Sequence, residues 1–269
     1  MAITTMDQIA AGLAAAPVID IFAPSATNVA AGFVNLQRAV VTSTGQMAVP
    51  AAASAGGTLH SAGQAGFRNL PDPVGGASRY LAQSALTFAT AGSLWFYDRV
   101  WSCSGFSGIV ATAQAVTSFP VLTRPDANGT GLEIWIECYT ATGATAANIT
   151  VQYTNSDSVA GRSTVSTAHI TSMPANRMYR VPLQAGDTGV KSIQSVTLSG
   201  TTGTAGSFGV TLLRKIAVTG SAVTNIPVVN DFAALGLPLV QNGTALNAIH
   251  QGATTSSGII LGVLTFIDG

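Results

Sequence analysis

The sequence predicts a mainly β protein: an antiparallel β-sandwich or jelly roll, preceded by a short helical N-terminal arm and an extended linker. Three observations predict it. From residue 80 onward, strand-length runs rich in Val, Ile, Thr and aromatic residues alternate with turn clusters of Gly, Ala and Thr. Helical spacing is confined to the first 40 residues. Between these regions lies a stretch dominated by Ala, Gly, Ser and Pro. The expected partition is therefore an arm over 1–43, a linker over 44–78 and a β-sandwich domain over 79–269.

The arm opens with Thr5-Met6-Asp7-Gln8, a capping box in which Thr5 caps and Gln8 reaches back. Met6, Ile9, Ala10 and Leu13 follow on one helical face, and Pro17 ends the pattern. After Pro24 and Ser25, the residues Val29, Phe33, Leu36 and Val40 repeat at helical intervals and predict a second helix. Helices this short depend on packing against something else. Met6, Ile9, Leu13, Val29, Phe33 and Leu36 are thus the candidate contact residues of the arm. From Val41 to Ser78 the periodicity fades, as expected of a segment that becomes ordered on assembly.

Eight strands are expected: Tyr80–Thr87, Ser93–Trp101, Leu132–Thr140, Ile149–Thr154, Met178–Leu183, Ser192–Ser199, Phe208–Val218 and Ile259–Ile267. In LEIWIECY, Ile134, Ile136 and Cys138 face one way. Glu133, Trp135, Glu137 and Tyr139 face the other, which reads as a solvated or interface side. Ser93–Trp101 and Ile259–Ile267 are apolar on both faces, as central or covered strands are. In FGVTLLRKIAV, Arg214 interrupts an otherwise apolar row. The segments TGATAAN and TTGTAGS each join two strands and read as two similar hairpin turns.

Charge restricts the function. The chain has 11 basic and 11 acidic residues among 269, or 8%, against about 25% in a typical domain. A monomer of this mass would expose roughly 11,000 Å². So few charges exclude charge-driven binding to nucleic acid or to an anionic membrane. The longest apolar run, GIILGVLTFI, is about half of what a spanning helix needs. No basic residue precedes Arg38, so the start does not read as a secretory signal.

Chemistry-bearing motifs are sparse. His60, His169 and His250 lack ligand spacing, and Cys103 and Cys138 form no CxxC and read as unpaired. There is no GxSxG and no phosphate-binding glycine loop. Glu133 and Glu137 sit about 13 Å apart by strand rise, too far for a glycosidase pair. Asp126-Ala127-Asn128-Gly129 resembles part of a calcium loop but reads better as a tight turn. An enzyme, a cofactor and a metal are therefore not expected. A sugar-binding platform would require Trp95, Tyr97, Trp101, Trp135 and Tyr139 on one exposed face.

Longer stretches carry a resemblance. MAITTMDQIAAGLAAA, LWFYDRVWSCSGFSGIVATAQAV, LTRPDANGTGLEIWIECYTATGATAANITVQYTN and LQAGDTGVKSIQSVTLSGTTGTAGSFGVTLLRKIA resemble a family of tailed-bacteriophage virion structural proteins. The likeness covers most of 1–16 and 94–217 and transfers no site residues. It implies a virion component assembled in the host cytoplasm. The expected role is a capsid decoration (cement) protein, a homotrimer bound to the major capsid protein. The alternatives are a tail, collar or head–tail adaptor protein, or a carbohydrate-binding sandwich for host attachment.

Overall fold

The computed structural model describes residues 3–15, 17–22, 25–29, 32–39, 45–168, 170–252 and 256–269. Its elements open with α1 (Met6–Ala14), β1 (Val18–Phe22), β2 (Ser25–Val29), β3 (Gly32–Asn35), α2 (Leu36–Ala39) and β4 (Thr58–Leu59). The middle of the chain forms β5 (Arg79–Phe88), β6 (Gly92–Ser102), β7 (Gln114–Ala115), β8 (Leu132–Thr140), β9 (Ile149–Asn155), β10 (Arg162–Ser163), β11 (Met178–Val181) and β12 (Val190–Leu198). The rest forms β13 (Ser207–Ser221), β14 (Pro227–Asn230), α3 (Phe232–Leu235), β15 (Leu239–Val240), β16 (Leu246–Gly252) and β17 (Ser256–Asp268).

The protein is mainly β, and its strand pairings are antiparallel. This bears out the expected sandwich class; the jelly-roll order does not follow from these pairings. All eight expected strands are present, each shifted by at most a few residues at its ends.

The chain divides into two units, each assembled from separate segments. The first holds Met1–Met47, Ser61–Asp98 and Ile216–Gly269, and the second holds Ala48–His60 and Arg99–Lys215. Two of the divisions fall inside strands: at Asp98-Arg99 in β6, and directly after Arg214-Lys215 in β13. Arg214, which breaks the apolar row of β13, thus stands beside a boundary. Phe208, Val210 and Leu212 before it enter the core of the second unit, while Ile216 enters that of the first.

In the second unit, β10-β9-β12-β7 form one layer and β11-β8-β13 the other. Ile134, Ile136 and Cys138 of β8 meet Val151 and Tyr153 of β9 and Val196 of β12 across a single core. This is the period-2 alternation of β8 at work. The two small-residue connections are not hairpins, contrary to expectation. β8 pairs with β13 and β9 pairs with β12, so each connection crosses from one layer to the other. The two arches pack on each other: the Gly143 amide donates to Thr202 Oγ1 at 3.1 Å, and the Thr145 amide to the Thr202 carbonyl at 3.0 Å. A Cβ on Gly143 would lie 1.9 Å from the Thr202 carbonyl oxygen, so this position requires glycine.

In the first unit, β1-β17-β5-β14 form one layer, with β2 on β17 and β15 on β5. Strands β6, β16 and β3 form the facing layer. Leu81, Leu86 and Phe88 of β5, with Leu264 and Phe266 of β17, meet Leu94, Phe96 and Ala248 across the gap. β17 is central, between β1 and β5, as its two apolar faces predicted.

The N-terminal region needs correction. α1 forms as expected, and both capping-box bonds are present: the Gln8 amide donates to Thr5 Oγ1 at 3.3 Å, and the Thr5 amide to Gln8 Oε1 at 3.1 Å. The helix expected around Val29–Val40 is instead the strands β2 and β3, with a single turn, α2, after them. Strand pairing outweighs helical spacing here, because β3 pairs with β16 and β2 with β17. Val40 and residues 41–44 lie outside the described residues. The stretch 45–78 is irregular, as expected, but anchored: Met47, Ala53, Phe67 and Leu70 are buried.

Candidate interaction surface

The few charges of this chain are largely used internally. Arg99 and Glu137 are fully buried and paired at 2.5 Å. Around them, Tyr139 OH and Thr211 Oγ1 each donate to Glu137 Oε2 at 3.3 Å, and Arg99 Nε donates to Ser102 Oγ at 3.3 Å. Arg68 is bonded to Asp20, Arg79 to Asp268, and Arg162 to Asp187. Asp98 accepts from the Ala245 amide in a fully buried setting. Among the described residues, the exposed acids are Asp7, Asp72, Asp126, Asp157, Asp231 and the Arg79-paired Asp268, and the exposed bases are Arg180 and Lys215. In the first unit every exposed charged residue among those described is acidic.

The β8 face that carries Glu137 was expected to be solvated or part of an interface, and it is instead buried within the chain. Trp135, Glu137 and Tyr139 are buried, and only Glu133 keeps partial exposure, 3.4 Å from Arg180. The cause is the ion pair: a glutamate can leave water here because Arg99, Tyr139 and Thr211 together replace its hydration.

Several groups resemble catalytic machinery without the access that catalysis needs. His60 Nε2 lies 2.6 Å from Ser102 Oγ, a pairing that the sequence did not single out. Ser102 is fully buried, and Arg124 donates to the His60 carbonyl at 2.7 Å, so the pair acts as a packing bond. Cys103 and Cys138 are both buried and form no disulfide, and burial pushes the Cys103 thiol up to about 12. A thiol held so far from its thiolate is a poor nucleophile. Asp126 Oδ1 accepts from the Asn128 amide at 2.8 Å and the Thr130 amide at 3.3 Å, which is the tight-turn reading. Among the described residues, no three His, Cys, Asp or Glu side chains come together as a metal site would require. His169 lies outside the described residues. No helix among the described residues is long and apolar enough to cross a membrane.

The aromatic platform is not assembled. Tyr97, Trp101, Trp135 and Tyr139 are buried, and Trp101 donates its indole N–H to the Gly56 carbonyl at 2.9 Å. Trp95 is half-buried and stacks on Tyr97, with Phe33 edge-on at 5.5 Å between ring centres.

The six expected arm contacts separate into groups. Ile9 packs with Ala82 and Ile267, and Leu36 is buried with Val34 and Leu94. Both are therefore core residues of the chain itself. Phe33 is half-buried against Trp95. Val29 lies in β2, paired with Ser256, and its side chain is outside those described. Met6, 63% exposed, and Leu13, 39% exposed, remain at the surface.

The larger exposed apolar area was not anticipated. On the outer side of the β1-β17-β5-β14 layer, Val263, Ala85 and Val229 stand opposite one another, with Leu261 opposite Thr87. Leu261 is 49% and Val229 59% exposed, and Ile226 and Ile259 are exposed beside them. The sequence signal was present in β17, whose two apolar faces require two cores, or one core and a partner.

No family model matches the chain, and no curated protein matches it. Among solved structures, it aligns with the crystal structure of the infectious bursal disease virus VP2 subviral particle. That match is 10% identical, covers 93% of this chain and 80% of that chain, and has a TM-score of 0.16. A D431N mutant VP2 of the same virus, from derived T=1 particles, aligns at 10% identity over 94% and 78%, with a TM-score of 0.14. Likeness this slight carries no argument about fold or function.

Proposed function

We propose that this protein is a structural component of a bacteriophage virion, most specifically a capsid decoration protein acting with copies of itself as a trimer on the major capsid protein. The observation that carries the reading is the surface chemistry. Several of the few charges are paired or buried, while apolar side chains such as Met6, Leu13, Leu261 and Val229 are left exposed. A surface of that kind suits a protein covered by neighbours. The sequence stretches that resemble tailed-phage virion proteins support the same class. Function would be thermodynamic: the protein binds the assembled shell and stabilises it by mass action.

The burial of Tyr97, Trp101, Trp135 and Tyr139 counts against the carbohydrate-binding alternative. The test is a copy number by quantitative band density in purified particles. A count approaching that of the major capsid protein is expected. A dozen copies or a few dozen would replace decoration by a tail, collar or adaptor role, and absence from particles would overturn the virion reading. The arm is tested by removing residues 1–15, since a longer deletion also removes β1 and β3. The shortened chain should decorate empty shells at least about tenfold more weakly.

A further inference from the structure

We infer that the edge strand β3 is an acid-sensitive latch: when His250 takes up a proton, β3 leaves β16 while the rest of the first unit stays folded. The inference starts from a ring with nothing to bond. His250 is 3% exposed, and neither of its ring nitrogens has a hydrogen-bond partner. By strand alternation it shares the inner side of β16 with Leu246 and Ala248, both in the core of this unit. Its register neighbours are Leu94 on β6 and Val34 on β3, which belong to the same core. Apolar surroundings of this kind hold a neutral imidazole; they cannot hold an unpartnered imidazolium.

No charged group of this unit is placed to pair with the ring. β3 and β16 carry no carboxylate. The first on β6 is Asp98, four residues or about 13 Å along the strand from Leu94, and it accepts from the Ala245 amide. In the facing layer, β5 is uncharged after Arg79 and β17 before Asp268, and those two pair with each other. Asp20 of β1 is bonded to Arg68, and Arg38 of α2 donates to the Met47 carbonyl. From Ile216 onward β13 has no charge. Tyr97 projects from the other side of β6, and Tyr80 packs outside β5 with Ile9. A protonated His250 can therefore be satisfied only by water.

The strand pairing decides how water arrives. β6 pairs with β16 over seven residues and has β13 on its other side, whereas β3 pairs over four and ends the sheet. Displacing β3 costs the fewest bonds. The solvent side is already near: a cavity of about 280 Å³ is lined by Gly92, Ser93, Gln251 and Gly252. A Cβ on Gly92 would stand 2.8 Å from His250 Nε2, so Gly92 borders both the ring and the cavity. The opening is bounded on the α2 side. Gln37 Oε1 accepts from the Ala248 amide at 2.9 Å, and Asn35 Oδ1 accepts from the Gln37 amide at 3.1 Å. Neither bond involves the ring, so α2 stays in place when β3 leaves.

The sign follows from which state takes the proton. The opened ring has an ordinary histidine pKa near 6.5, while the closed ring stays neutral, as its burial requires. Opening is therefore rare above pH 6.5 and grows below it. Between pH 7 and pH 5 the opened population can rise by at most about 25-fold.

The test is native-state hydrogen exchange of the purified full-length chain, corrected for the intrinsic rate at each pH. Amides of β3 should open at least about tenfold more at pH 5 than at pH 7. At pH 5, low urea should leave that opening unchanged, while amides of β5 and β17, which exchange by unfolding of the whole unit, should respond to it. H250L and H250Q cannot take up the proton, and each should abolish the rise; either one, if folded, serves. No rise in β3 would overturn the inference. So would a rise with the urea dependence of β17, or one that survives in H250L or H250Q. The inference is independent of the virion reading, which stands or falls on copy number in particles.

Discussion

The two units differ in how they deal with what a sandwich leaves over. The second unit closes on itself. The outer side of β8 is capped by the Arg99–Glu137 pair with Tyr139, Thr211 and Ser102, and its rim is tied at Asp187 by Arg162, Tyr153 and Asn155. The first unit holds the complement. Its outer sheet face is apolar and half open, and its core carries polar groups that nothing satisfies. Both ring nitrogens of His250 and both amide atoms of Asn247 are buried without a hydrogen-bond partner. Two sandwiches of one class can thus be finished differently, one by internal polar bonds and one with an apolar sheet face left half open.

The largest expected effect tests the closed unit. Glu137→Ala leaves Arg99 buried without its counter-charge, which should cost about 3–5 kcal/mol. Urea unfolding followed through Trp101 and Trp135, both in this unit, would show it. Replacing the pair together, Arg99→Met with Glu137→Leu, should cost much less, since no lone charge remains. A loss under about 1 kcal/mol for Glu137→Ala would mean that the pair is not what closes this unit.

A smaller effect is expected at the rim. The Arg162 guanidinium, with Tyr153 and Asn155, holds the Asp187 carboxyl at about 2, below its ordinary 3.8. Its stabilisation is complete above pH 4 and is lost as pH falls through about 2. At roughly 1.4 kcal/mol per unit, Asp187→Asn should cost about 2 kcal/mol at neutral pH. The variant should also lose the steepest part of the acid-unfolding curve. An unchanged acid limb would show that the rim contributes nothing.

In the open unit stability again falls as pH falls, but the group is a histidine and the range is higher. Burial lowers the pKa of His250 from its ordinary 6.5, so the folded state keeps the ring neutral while the unfolded chain takes up a proton. Stability of this unit should therefore fall as pH drops below 6.5. His250→Leu should remove that dependence and add about 1 kcal/mol, because an unsatisfied buried ring is replaced by an apolar side chain. Hydrogen exchange in β16 and β3 at pH 7 and pH 5 would report it. Identical pH dependence in variant and wild type would locate the acid sensitivity elsewhere.

What the sequence revealed and what it concealed follow the same division. Strands whose two faces differ in polarity, or whose runs are long, were legible: β5, β6, β8, β12, β13 and β17. β16 was not, because LNAIHQG buries Asn247 and His250 beside Ile249, and a composition rule places such residues outside. β2 and β3 were missed because apolar spacing at three and four fits a helix, while their partners in β17 and β16 lie more than 200 residues away. Pairing of that range leaves no local trace. Of the contact surface, Met6 and Leu13 were legible from the helix stripe; the sheet face was not, since only the register between β5, β14 and β17 brings Val229, Ala85 and Val263 into one row.

The smallest effect is the most local. Thr5→Ala removes the side chain that accepts the Gln8 amide, and it breaks one half of a box that the sequence alone specifies. The expected cost is about 1 kcal/mol to α1. Because α1 covers only the end of β17, that loss should appear as faster exchange of the amides in α1, with the unfolding of the second unit unchanged. Unchanged exchange of the α1 amides would show that the Thr5 cap does not hold this helix in place.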